Sequence, residues 1–125
     1  MTSENDPQPP AGLRDRGERF WTRTLEYFDL EPGEIELLTE IARALDRLTD
    51  LDEAARRDGT MIESSQGMRL HPAIAEHRAL SLATARMLSQ LGLPDEDGTP
   101  TVVSAKSAAA KAREARLNEQ SRIAR

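Results

Sequence analysis

Few side chains in this sequence have the types and spacing that chemistry needs. His71, Glu76 and His77 lie close together, but the H-x4-E-H spacing matches neither the H-E-x-x-H zinc helix nor its inverted form. His71 reads instead as the residue ahead of a helix opened by Pro72, and His77 as part of an apolar face. Ser64 and Ser65 have no glycine elbow and no acid–base partner nearby in sequence, so neither reads as a nucleophile. The chain has no cysteine, which removes disulfides, thiolate zinc sites and cysteine catalysis. Asp46, Asp50, Asp52 and Glu53 crowd one stretch. Arg43 and Arg47 stand three residues before Asp46 and Asp50, the spacing of a paired, solvated helix face. The expectation is a protein that is not an enzyme and takes no metal or cofactor.

Charge is what remains. Arg14, Arg16, Arg19 and Arg23 form the densest basic cluster between residues 13 and 93. Arginines at such spacing can hold phosphate oxygens without reading bases, which makes these four the candidate DNA contacts, with ordinary helix solvation as the alternative reading of the same charges. A second basic set, Lys106, Lys111, Arg113, Arg116, Arg122 and Arg125, stands against only Glu114 and Glu119 and gives residues 98–125 a net +4. The whole chain carries −5, so this is a basic tail on an acidic body, a pattern that suits a polyanionic or acidic partner. Charge alone weighs that partner evenly against a solvated, solubilising tail.

The elements that would position these groups are helical. Trp21, Leu25 and Phe28 fall at i, i+4 and i+7, with Phe20 and Tyr27 beside them, and predict an aromatic amphipathic helix. Pro32 then opens a second helix, where its missing N–H costs nothing. Apolar residues at Ile35, Leu38, Ile41, Leu45, Leu48, Leu51 and Ala55 advance by three or four, the seam of a helix that packs on helices. Gly59 closes it, with Arg56 and Arg57 in the last turn where cations are favoured. Met61-Ile62 and Met68-Arg69-Leu70 flank Ser64-Ser65-Gln66-Gly67 and predict a small β-hairpin. Pro72 starts a third helix, with Ile74, His77, Leu80, Thr84, Met87, Leu88 and Leu91 on one side, and Gly92 and Pro94 stop it. The corner at Leu30–Glu34 invites a helix-turn-helix reading. However, Glu34, Glu36 and Glu40 would meet phosphates with like charge, so the second helix is rejected as a groove reader.

The resulting fold class is all-α: an aromatic N-terminal helix and a long antiparallel helical hairpin with a small β-hairpin at its tip, then a basic C-terminal helix or tail. Residues 1–12, rich in Pro and polar residues, read as a disordered arm. Residues 13–93 read as the helical core and oligomerisation domain, 94–103 as a linker and 104–125 as the partly helical tail. With 38% apolar residues among 125, the body looks too lean to bury the long seam alone. Leu38, Ile41, Leu45 and Leu48 are therefore expected to join copies of the chain. No apolar run approaches the roughly 20 residues of a membrane helix, and no secretory signal opens the chain. A cytoplasmic protein without membrane contact is expected.

The order of parts between Gly12 and Leu93 resembles the small subunit of the terminase of tailed double-stranded-DNA phages or prophages. The elements are Gly-x-x-Phe-Trp at Gly17–Trp21, the Leu30–Glu34 corner with Leu37-Leu38 beyond it, Gly59, Gly67, His71-Pro72, and Leu91-Gly92-Leu93-Pro94. They cover about two thirds of the chain. The acidic Asp95–Asp97 stretch departs from relatives, which often carry basic residues after the last helix. The resemblance implies a helical protein that assembles as a homo-oligomeric ring in the host cytoplasm. It also implies binding to viral double-stranded DNA at the packaging start site and regulation of the large terminase subunit, which holds the ATPase and nuclease. Two other classes fit the residues alone: a small helical DNA-binding regulator or antitoxin-like dimer, and a helical adaptor with no nucleic-acid role.

Overall fold

A computed structural model gives the structure of residues 7–94. Within it the chain is mainly helical: α1 (Asp15–Tyr27), α2 (Pro32–Asp58), the strands β1 (Met61–Ser64) and β2 (Gly67–Leu70), and α3 (Pro72–Leu91). The disordered arm expected over 1–12 is described only from residue 7, where the chain reaches a turn at Ala11-Gly12. The linker expected over 94–103 is described only at Pro94, and the 104–125 tail, with all six of its basic residues, lies outside the described residues.

Local chemistry fixes the helix ends. Pro32 occupies the first turn of α2, and Glu31 and Glu34 form a reciprocal capping box, with the Glu31 N–H donating to Glu34 Oε1 at 2.9 Å. His71 caps α3 by accepting the Ala73 N–H on Nδ1 at 3.0 Å, and its Nε2 lies 3.0 Å from Asp58 Oδ2. The imidazole thus closes the junction between α2 and α3. Gly92 ends α3 at φ 65°, ψ 36°, the left-handed conformation that favours glycine there.

The expected hairpin is present: Met61 pairs with Leu70 and Ser64 with Gly67, leaving Ser65-Gln66 as the turn. Ser64 Oγ braces that turn by donating to the Gly67 carbonyl at 2.6 Å. Alternation puts Met61, Glu63, Met68 and Leu70 on one face, and the three apolar members are exposed.

The spine of the fold is α2, which packs against both α1 and α3. Trp21, Leu30, Leu38, Ile41, Ala42 and Leu91 form the buried cluster. Leu91, at the end of α3, thereby meets the first half of α2, while His71, at the start of α3, meets Asp58 at the end of α2. The two helices therefore run in opposite directions.

This packing corrects the assignment of the α2 seam to contacts between copies. Leu38 and Ile41 are 0% exposed and Leu48 5% within a single chain, and Leu45 is half-buried against the same cluster. The aromatic helix covers one flank of the seam and α3 the other, so these four side chains hold the protomer together. On α3, Leu88 sits at the rim of the packed stripe and remains exposed, as does Leu82 on the outer side.

Candidate nucleic-acid interface

The basic cluster is built around the N-terminus of α1, where free main-chain N–H groups need acceptors. Arg14 occupies the capping position and makes no side-chain cap. A carboxylate from α2 does the work instead. Asp46, 6% exposed, accepts the Arg14 N–H on Oδ2 at 2.7 Å and the Gly17 N–H on Oδ1 at 2.8 Å. A negative charge there also faces the positive end of the α1 dipole.

The approach is close because residue 17 has no side chain. A Cβ on Gly17 would collide with the Ala42 carbonyl oxygen and lie 2.6 Å from Asp46 Oδ2. Further along, Trp21 is buried and its Nε1 donates to Thr39 Oγ1 at 3.3 Å. Gly17, Trp21 and Thr24 are the buried residues of α1, and their i, i+4, i+7 spacing defines the face that meets α2.

Arg14, expected to contact DNA, is committed elsewhere. Its guanidinium forms a fork with Asp50, Nη1 to Oδ1 at 2.6 Å and Nη2 to Oδ2 at 2.8 Å, and Nη2 also donates to the Asp46 carbonyl at 3.1 Å. Bidentate pairing of this kind fixes geometry as well as charge. The hydrogen bond to Asp50, and then its charge, raise the Arg14 pKa, while the same bond lowers that of Asp50 below the ordinary carboxylate value. Arg14 thus differs from the other three arginines in clasping α1 to α2.

The other three arginines are arranged differently. Arg16, Arg19 and Arg23 are exposed and fall at i, i+3 and i+7, one stripe on the flank of α1 away from Trp21. None of them makes an ion pair among the described residues. Asp15, Glu18 and Glu26 are exposed on the neighbouring stripe of the same helix.

Across the clasp, the pairing expected on α2 is also rearranged. Asp46 and Asp50 are occupied by α1, so Arg43 turns back to Glu40 at 3.0 Å and Arg47 makes no ion pair among the described residues. An open recess of about 500 Å³ lies on one side of the Arg14–Asp50 bridge, lined there by Arg16, Arg19, Thr49 and Glu53. A second, of about 360 Å³, lies on the other side, lined by Gly12, Leu13, Arg43 and Arg47.

Spacing along α2 gave no sign of this exchange, because Arg14 and its acidic partners are 32 to 36 residues apart. The available signal was Gly17 one turn from an arginine-rich start, a mark of close helix approach. No family model matches this chain, and neither a curated protein nor a solved structure matches it.

Proposed function

We propose that this protein is the small, DNA-recognising subunit of a phage or prophage terminase. On this reading it binds viral double-stranded DNA at the packaging start site, regulates the large terminase subunit and works as a homo-oligomeric ring in the host cytoplasm. The ordered motifs from Gly17 to Pro94 supply the family reading. The observation that carries the DNA reading is the stripe of Arg16, Arg19 and Arg23, three exposed guanidiniums without ion pairs among the described residues, on one flank of α1. From Arg16 to Arg23 the helix rises about 10 Å, which lets one α1 reach successive phosphates along a strand. Such contacts set position and affinity without reading sequence. A ring would repeat the stripe and strengthen a weak grip through effective concentration. Because the α2 seam is used inside the protomer, assembly falls to apolar groups left exposed, with Met61, Met68 and Leu70 of the hairpin first among them. The basic tail then serves as a docking segment for the large subunit or as an added DNA grip.

The test is duplex-DNA affinity across a salt series for the full chain and for the double variant Arg16→Glu, Arg19→Glu. The variant should bind all sequences more weakly and lose about 2 from the slope of log affinity against log salt, at about 0.9 for each phosphate neutralised. Equal affinity and slope in the two proteins, with oligomer mass unchanged, would remove DNA from the α1 flank. Light scattering separates the alternatives: a dimer favours a small regulator over a ring. Salt-dependent DNA retention would argue against an adaptor without a nucleic-acid role.

A further inference from the structure

We infer that Arg47 of α2 is a phosphate-contacting residue, so that a nucleic-acid backbone lies across the α1–α2 junction rather than along α1 alone. The inference rests on the DNA reading above and adds to it a residue on a second helix.

The argument begins with where the negative charge near the junction goes. The two recesses together are lined by five arginines (Arg14, Arg16, Arg19, Arg43 and Arg47) and four carboxylates (Asp15, Asp46, Asp50 and Glu53). Asp50 is held by the Arg14 fork, and Asp46 is buried beneath the two main-chain N–H groups that start α1. The carboxylates three residues after Arg43 and Arg47 are thereby withdrawn. Arg43 finds Glu40, and Arg47 finds no ion-pair partner among the described residues.

The clasp therefore does two things. It pairs one exposed arginine with Asp50, and it leaves another without its expected counter-ion. Arg47 lines the recess on one side of the bridge while Arg16 and Arg19 line the recess on the other, and both recesses share Arg14, Asp46 and Asp50. Exposed cations on two helices, separated by an internally neutralised bridge, fit a polyanion whose charges recur along its length better than a single small anion. Of the carboxylates lining the recesses, Asp15 and Glu53 are left to oppose it, both exposed on the Arg16–Arg19 side, where Glu18 also stands on α1. The Arg47 side carries neither.

The experiment uses the full chain and a short double-stranded DNA labelled for fluorescence anisotropy, titrated at 50 and 200 mM salt. Three variants are compared with wild type: Arg47→Ala, the double Arg16→Ala, Arg19→Ala, and Arg56→Ala. Arg56 is an exposed control near the far end of α2, paired with Asp52 at 2.9 Å. Each phosphate that an arginine neutralises contributes about 0.9 to the salt slope. The deficit of Arg47→Ala at 50 mM should therefore exceed its deficit at 200 mM by about 3.5-fold if one phosphate goes unneutralised. Arg56→Ala should match wild type at both salts, and Trp21 emission should be the same in all four proteins.

If Arg47→Ala matches wild type while the α1 double variant weakens, the inference fails and the α1 reading stands. If both match wild type on DNA that still binds, or if wild type fails to bind, the body is not the DNA surface and both fall. A drop in affinity with Arg56→Ala as large as with Arg47→Ala would mark a diffuse charge effect, and would also overturn the assignment.

Discussion

Substituting Gly17 by alanine sets two effects of opposite sign against each other. Gly17 lies in the first turn of α1, and in a helix interior alanine is favoured over glycine by up to about 1 kcal/mol. Local propensity therefore predicts a more stable protein. The packing predicts the reverse. The new methyl would meet the Ala42 carbonyl oxygen, and Asp46 Oδ2 and Cγ at 2.6 and 2.9 Å. The first of these obstacles is main chain in the middle of α2, and the second is a carboxylate already tied to two N–H groups. Helix α1 must therefore shift outward. Overpacking of this kind costs about 1–3 kcal/mol, and loss of one hydrogen bond to the buried Asp46 carboxylate adds about 1.5–3 kcal/mol. The net is a loss of about 2 kcal/mol or more, on the order of 10 °C in melting temperature for a body of this size. Helical circular dichroism would follow the melt. The single tryptophan, 3% exposed at the α1–α2 contact, would report a displaced α1 by a red shift in emission. Gly33→Ala is the matched control, since its added Cβ meets nothing within 4 Å, and it should leave stability unchanged or slightly raised. A Gly17→Ala protein that melts at or above the wild-type temperature would refute the close-approach argument.

Two further outcomes follow from the same contacts. Arg14 holds the Asp50 pKa down, and Arg57 followed by His71 does the same for Asp58. The stability these pairs contribute is fully present above the unfolded aspartate value of about 3.9 and is lost as pH falls through the lower folded values. Acid titration should therefore leave Trp21 emission flat above about pH 4 and shift it red below; a transition centred near pH 6 would contradict this account. Ile41→Ala removes a fully buried side chain and should cost about 2–5 kcal/mol of folding stability. A variant that melts like wild type but runs at a lower oligomer mass would return Ile41 to an intersubunit role.

Much of the architecture was legible because it is written in local signals. Pro32 and Pro72 can sit only at helix starts without breaking a hydrogen bond, Gly92 adopts a left-handed end, and the Ser64–Gly67 turn fixes the strand register. The arginine cluster was legible as composition but not as geometry. Asp46 and Asp50 carry equal weight as partners of Arg43 and Arg47 at i, i+3 and as partners of an arginine far earlier in the chain. Only the close approach allowed by Gly17 decides between them. The α2 seam was misplaced for a related reason. An apolar stripe shows that something covers a helix, but not whether the cover is an earlier helix of the same chain or another copy. Here Trp21 and Leu91 supply it from within.

The order in which the elements pack has a kinetic consequence. Helix α1 packs on α2 and β1 on β2, each the next element along the chain, and α2 packs on α3 across only the short hairpin, so no strand waits for a distant mate. Loops closed between such neighbours are short, and chains dominated by local contacts cross their folding barrier in microseconds to milliseconds. The Arg14–Asp50 fork spans 36 residues, and the core that joins Leu91 to Leu38 and Ile41 spans more. Closing α3 onto α2 therefore draws in a longer stretch of chain than docking α1 does. During synthesis α1 and α2 emerge before α3, so the arginine flank of α1 can be set in place before the last helix arrives to complete the body.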